Sequence, residues 1–194
     1  MNVDVKHKVL IDKAIKEWKK LEDWRAGVSF EIQEDLDRIF YEILSMLIHG
    51  IRTKNTVPFG FIMADNGKTN GLVAPEWFPD GNDMVDYLIH KVQENRKGYK
   101  AVLIAWQATS TNLDTKKVTH IYQVYMEHFS GVSIAFDMPY IRGFITKKVS
   151  FDFSNIFIER KEKIIWCENV TPTDARLARQ ALKVKRTRYE KNKK

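Results

Sequence analysis

The central stretch of the chain, from Tyr99 to Tyr140, has the pattern of three consecutive strands. Residues 100–109 (KAVLIAWQAT) are a short run of apolar and β-favouring residues, which predicts a central strand buried on both faces. Residues 118–129 and 132–140 are rich in β-branched and aromatic residues, and Ser130 and Gly131 between them predict a tight hairpin turn. Pro139 predicts the end of the third strand, because proline has no N–H to donate to a sheet.

The first fifty residues have a helical pattern of apolar positions. Leu10, Ala14 and Trp18 recur at helical spacing before a break at Gly27. A second helix is expected to begin after Ser29, as its N-cap, and to stop at Gly50. The two helices predict a helical hairpin. The alternative is that the first helix is a separate dimerisation or partner-binding element, because it carries two tryptophans, Trp18 and Trp24.

The next segment, residues 56–98, predicts a strand pair followed by a third helix. Asn66-Gly67 favours a hairpin turn between the two strands. A loop containing Trp77 and Phe78 follows, and then a helix capped by Asp80 or Asn82 that ends at Gly98. The glycines of this segment lack the spacing of a phosphate-binding loop.

After residue 143 the chain predicts one or two edge strands and a C-terminal helix that starts near Ala175. The whole order, ααββαβββ(β)α, indicates an α+β class with an antiparallel sheet of about five to seven strands packed against helices. This order of elements resembles that of profilin-like and roadblock-like domains, and the resemblance concerns topology alone. We expect an N-terminal amphipathic helix in residues 1–27, an α+β domain in 28–175 and a basic C-terminal helix or tail in 176–194.

The net charge of +7 is concentrated at the C-terminus. Residues 176–194 contain nine Lys or Arg and one Glu, so the remainder of the chain is close to neutral. Such a block is either a solvated end or an arm that binds phosphates without sequence preference. The residues that would bind nucleic acid in the second case are Lys183, Lys185, Arg186 and Arg188.

Cys167 is the only cysteine, which excludes an intramolecular disulfide and a cysteine-rich zinc site. No apolar stretch is long enough for a membrane helix, and the N-terminus lacks the pattern of a signal peptide, so we expect a cytoplasmic protein without membrane contact. The five histidines have no metal-site spacing. Neither a metal nor a cofactor is predicted.

Glu127, His128 and Asp137 are the best group of titratable residues, since Glu127 and Asp137 lie on the two strands of one predicted hairpin. They could serve a hydrolase or nuclease if they lined a cleft. The alternative, which the pattern favours, is a set of cross-strand polar pairs on the solvated face.

The lack of catalytic motifs favours a binding protein over an enzyme. We expect an adaptor, inhibitor or regulatory subunit that contacts a partner protein, or a second copy of itself, through Trp18, Trp24, Trp77 and Phe78. The first alternative is nucleic-acid binding through the basic tail, and the second is hydrolysis by Glu127, His128 and Asp137.

Overall fold

The computed structural model describes residues 5–55, 57–75, 80–111, 115–143 and 148–166, with side chains from residue 8 onward. The helices are α1 (Val5–Trp18), α2 (Phe30–Thr53) and α3 (Gly81–Asn95). The strands are β1 (Phe59–Ala64), β2 (Thr69–Val73), β3 (Tyr99–Thr111), β4 (Val118–His128), β5 (Ser133–Arg142), β6 (Val149–Phe151) and β7 (Phe157–Arg160).

The strands form one curled antiparallel sheet in the order β2-β1-β3-β4-β5. Beyond β5, strands β6 and β7 pair with different halves of the same strand. β4 pairs with β3 over its whole length, from Val118 to His128, so the two strands form the centre of the sheet. Helices on an antiparallel sheet confirm the predicted α+β class.

The sheet has a helical layer on each face. α1 and α2 cover one face, where Leu36, Phe40 and Leu47 pack against alternate residues of the central strands such as Leu103 and Val124. α3 covers part of the other face, and a second apolar cluster there joins Leu88 and Ile89 to Val102 and Ile104. Residues 101–105 are therefore buried on both faces, as the apolar run predicts.

α2 continues one turn beyond its predicted end. Gly50 lies inside the helix, and a Cβ atom there would be 2.7 Å from the hydroxyl oxygen of Tyr122 on β4. The glycine therefore serves close packing of the helix on the sheet, and the helix ends instead at Lys54, which has φ 60°. The prediction that Gly50 ends the helix is wrong for this reason.

Pro139 does not end β5, which continues to Arg142. The proline lies between the part of β5 that pairs with β7, at residues 134–137, and the part that pairs with β6, at residues 140–142. At this junction the pairing with β6 and β7 requires no N–H group from Pro139. The carbonyl oxygen of Pro139 accepts a hydrogen bond from Asp152 N–H at 2.9 Å. One strand can thus carry two partners along the same edge.

Candidate functional site

Glu127, His128 and Asp137 are not brought together by the fold. Adjacent residues of a strand point to opposite faces, so His128 faces α2 while Glu127 faces the side of α3. Asp137 lies opposite Gln123, four residues along β4 from Glu127, which separates the two carboxylates by about 13 Å. All three side chains are buried, so neither the catalytic group nor the solvated polar pairs expected from the sequence describe them.

Glu127 holds the last described segment of the chain against the sheet. Its Oε2 accepts hydrogen bonds from the backbone N–H groups of Ile164 at 2.9 Å and Ile165 at 2.8 Å, and its Oε1 accepts one from Trp166 at 2.9 Å. Ile164 and Ile165 pack into the cluster beneath α3. Gln93 Nε2 donates to Ile164 O at 2.9 Å, and Arg96 donates to Ile165 O at 3.2 Å. Residues 161–166, which we call the strap, are therefore fixed by one buried carboxylate, by these two donors and by two isoleucines.

The surroundings of Glu127 complete its hydrogen bonding. The hydroxyl of Tyr125 donates to Glu127, and Ser133 Oγ donates to the Tyr125 oxygen at 3.0 Å. Burial, and then the charge of Glu127, raise the pKa of Tyr125 well above its ordinary value, so the phenol stays protonated as a donor. This carboxylate is occupied by structural bonds on both oxygens, and nothing in its geometry presents it to a substrate.

His128 joins the end of β4 to α2. Ser130 N–H donates to its Nδ1 at 3.2 Å, which makes Nε2 the protonated nitrogen, and Nε2 donates to Asp35 Oδ2 at 3.2 Å. Lys100 Nζ donates to the other oxygen of Asp35 at 2.7 Å. Burial lowers the pKa of His128, although Asp35 opposes this effect. Both ring nitrogens are used, so His128 is a link between elements.

Asp137 belongs to a third, separate set of bonds. Trp106 Nε1 donates to Gln123 Oε1 at 3.0 Å, and Gln123 Nε2 donates to Asp137 Oδ1 at 3.2 Å. These three side chains lie on neighbouring strands β3, β4 and β5 of the α3 face. The arrangement is a cross-strand row that fixes side-chain positions on this face.

Trp18 and Trp24, two of the predicted contact residues, have no exposed surface. The Trp18 ring stacks on Phe40 of α2 with centroids 4.3 Å apart, and its Nε1 donates to Asp37 at 2.7 Å. The guanidinium of Arg25 lies 4.3 Å from the centroid of Trp24. Both rings are used inside the chain, so any surface that α1 offers to a partner consists of other residues.

The remaining predicted residues lie outside the described residues. These are Trp77 and Phe78, in the loop before α3, and Lys183, Lys185, Arg186 and Arg188, in the basic segment. Their proposed contacts with protein or nucleic acid stay predictions.

An exposed aromatic residue that sequence reasoning missed lies at the β4–β5 turn. Phe129 is 51% exposed, and its carbonyl oxygen accepts a hydrogen bond from Lys163 Nζ of the strap at 3.3 Å. Lys163 also passes beside Gly131, which has φ +111°. We call Phe129, Ser130, Gly131 and Lys163 the tip surface. The signal in the sequence is a phenylalanine directly before a Ser-Gly turn, where an apolar side chain has no strand face to cover it.

The tip surface is held rigidly from both sides. On the side of α2, His128 and Lys100 bind Asp35, and Phe129 N–H donates to Lys100 O at 2.9 Å. On the side of α3, Lys163 belongs to the strap that Glu127 fixes. The buried side chains of Glu127 and His128, two of the three predicted catalytic residues, therefore support an exposed aromatic turn.

Among the residues that the structure describes, no three potential ligands come together in the way a metal ion requires. None of the described helices combines the length and the apolarity needed to span a membrane. No protein-family model matches the chain, and comparisons with curated proteins and with solved structures gave no match.

Proposed function

We propose that the chain is a non-enzymatic binding protein, an adaptor, inhibitor or regulatory subunit, that recognises a partner protein through the tip surface. The observation that carries this proposal is the half-exposed ring of Phe129 on a turn that is anchored on both sides. Aromatic side chains supply large contact areas at interfaces and are enriched among the residues that dominate binding energy. A partner that covers this ring gains apolar contact without having to order the turn first.

The placement of the titratable residues supports binding over catalysis by the predicted group. Glu127 is saturated by backbone and tyrosine donors, and His128 uses both nitrogens. Asp137 lies about 13 Å from Glu127 and on the opposite face from His128. Hydrolysis by these three residues has no support in this geometry.

Site-specific photocrosslinking tests the proposal. p-Benzoylphenylalanine is placed at position 129 and, as the control, at position 118. Val118 is 56% exposed and lies at the start of β4, about 36 Å along the chain from Phe129, which directly follows the other end of this strand. We expect a protein adduct in cells from position 129 and none of the same mass from position 118.

The captured protein must then bind the purified wild-type chain and bind Phe129→Ala at least about tenfold more weakly. Adducts of the same protein from both positions, or binding that ignores Phe129→Ala, would contradict the proposal. Because Phe129 and Val118 are exposed to nearly the same extent, a difference in crosslinking between the two positions reflects the surface and not the accessibility of the probe.

Nucleic-acid binding through Lys183, Lys185, Arg186 and Arg188 is the second candidate. The observation that favours it is the charge of residues 176–194, which contain nine Lys or Arg and one Glu and begin ten residues after Trp166. The N–H of Trp166 binds Glu127, and its indole Nε1 donates to Arg96 O at 3.3 Å. The strap thus fixes the last described residue of the chain beside Arg96, three residues before β3 begins.

This candidate predicts binding to mixed short DNA and RNA that weakens steeply with salt and is lost when the chain is ended at Ala175. Size exclusion coupled to light scattering at two salt concentrations measures it. The shortened chain keeps Glu127 and residues 164–166, so the strap contacts are unchanged in the control. Equal co-elution of both forms would remove the basic segment from consideration.

A further inference from the structure

We infer that Phe129 and Lys163 together form a two-point site for an acidic peptide segment in which a carboxylate lies next to an apolar side chain. This inference rests on the proposed function and adds to it the chemistry of the partner. The ring of Phe129 would cover the apolar side chain, and the ammonium group of Lys163 would receive the carboxylate.

Lys163 differs from the lysines beside it in its partners. Lys100 is paired with Asp35 at 2.7 Å, and Lys161 is paired with Glu159 at 2.8 Å. In the part of the chain that the structure describes, no carboxylate forms an ion pair with Lys163. Its ammonium group contacts the carbonyl oxygen of Phe129, which uses one of three N–H donors.

The ammonium group of Lys163 is placed by the strap and by the β4–β5 turn. The strap holds the backbone of the next residue, Ile164, by a hydrogen bond to Glu127 at 2.9 Å. The Cε atom of Lys163 lies 3.9 Å from the place that a Cβ on Gly131 would occupy, so its stem runs along the turn. A carboxylate bound there meets a cation that already lies beside the backbone of Phe129.

Charge around the tip surface favours a short acidic segment over a long polyanion. Asp35 and Glu159 neutralise the two neighbouring lysines, and Glu162 is exposed directly before Lys163. A chain of phosphates would meet these carboxylates on both sides of the site. One or two carboxylates beside an apolar residue need only the ammonium group of Lys163, with which no carboxylate of the described residues forms an ion pair.

Two labelled pools of twelve-residue peptides test the inference. In one pool Leu or Phe is flanked by Asp and Glu, and in the other the flanking residues are Asn and Gln. Binding to the full chain is measured by fluorescence anisotropy at low and high salt. We expect the acidic pool to bind about tenfold more tightly at low salt and to lose most of this advantage at high salt.

Three variants locate the binding. Lys163→Met keeps the apolar stem and removes the charge, so it should weaken the acidic pool about fivefold or more and leave the neutral pool unchanged. Lys117→Met, directly before β4 at the opposite end of the sheet, should change neither pool. Phe129→Ala should weaken both pools. Unchanged thermal unfolding of each variant shows that the fold is intact.

The outcomes separate the inference from the proposed function. If both pools bind equally and depend on Phe129 but not on Lys163, the inference is overturned while recognition through the tip surface stands. If neither pool depends on Phe129, the proposed function fails as well. Dodecathymidylate is added as a polyanion. If it displaces the peptides, or binds where the peptides do not, the site takes a polyanion and the inference is overturned.

Discussion

The carboxylate of Glu127 on β4 accepts a hydrogen bond at 2.8 Å from the backbone N–H of Ile165, which lies 38 residues later in the chain. The neighbouring N–H groups of Ile164 and Trp166 bind the same carboxylate. Three consecutive backbone donors are normally satisfied by secondary structure or water. Here one side chain replaces both, so the strap can be buried without being a strand or a helix.

Replacing Glu127 should therefore release the strap. Glu127→Ala leaves buried N–H groups without acceptors, each at a cost of about 1–3 kcal/mol, and we expect a total loss of about 3–5 kcal/mol in the free energy of unfolding. Glu127→Gln keeps one acceptor oxygen and should lose about 2 kcal/mol. Urea unfolding followed by tryptophan fluorescence measures both.

The matched control for this pair is Glu162→Gln, because Glu162 is exposed in the same segment and should change stability by less than about 0.5 kcal/mol. Hydrogen exchange at Ile164 and Ile165 should accelerate in Glu127→Ala before the sheet exchanges. An unchanged exchange rate at these two amides would show that apolar packing and the hydrogen bonds from Gln93 and Arg96 hold the strap without Glu127.

The role of Glu127 could not be read from the sequence, for a physical reason. A lone acidic residue in an alternating strand has the same pattern whether its face is solvated or covered. The groups that cover it are backbone amides, which any residue carries, so residues 164–166 give no side-chain signal of polar binding. The apolar run at 100–109, in contrast, carries its signal in its own composition, and the burial of residues 101–105 on both faces follows from it.

Trp18 should behave as a core residue. Its ring is fully buried against Phe40 and Phe136, with centroids 4.3 Å and 5.1 Å away. Trp18→Ala should therefore cost about 3–5 kcal/mol, whereas Phe129→Ala should cost less than about 1 kcal/mol because half of that ring is exposed. Thermal or urea unfolding of both variants makes the comparison.

Similar losses in the two variants would mean that Phe129 contributes to folding more than to a surface. From the sequence alone, an apolar stripe with tryptophans fits a core and an interface equally, since both bury apolar area. What decides between them here is the partner of the indole Nε1. Asp37 on α2 accepts its hydrogen bond at 2.7 Å, which ties α1 to the same domain.

Gly50 and Tyr122 should be energetically coupled. In Gly50→Ala the new methyl group would meet the buried Tyr122 hydroxyl, which accepts a hydrogen bond from Gln107 Nε2 at 2.7 Å. We expect a loss of about 1–3 kcal/mol although alanine favours a helix by about 1 kcal/mol. Tyr122→Phe removes the clashing oxygen, so the double variant should be more stable than the sum of the single effects predicts.

A double-mutant cycle measured by urea unfolding gives this coupling, and strict additivity would show that the helix moves away from the sheet instead. Gly27→Ala is a useful comparison, because no atom lies within contact distance there and its cost arises from φ +75° alone. A glycine in a helix pattern predicts a break by propensity. At Gly50 the close approach of another element overrides that rule.

Stability should fall on acidification because of His128. Burial lowers the pKa of this histidine in the folded chain, with Lys100 acting in the same direction and Asp35 against it. The unfolded chain, with a histidine pKa near 6.5, then binds more protons than the folded chain. The contribution of His128 to the free energy of unfolding is complete above about pH 6.5. It is lost progressively as the pH falls below this value, by at most about 1.4 kcal/mol per pH unit.

Protonation would place a hydrogen on Nδ1, where Ser130 N–H now donates, so the loss of stability should begin at the tip surface. Urea unfolding at pH 7, 6 and 5 should show a smaller decline for His128→Gln than for the wild-type chain. His49→Gln, at an exposed position of α2, is the control for the removal of a histidine outside the tip surface. If the stability of His128→Gln falls with pH as steeply as that of the wild-type chain, other groups set the pH dependence, and the pair of His128 and Asp35 does not titrate in this range.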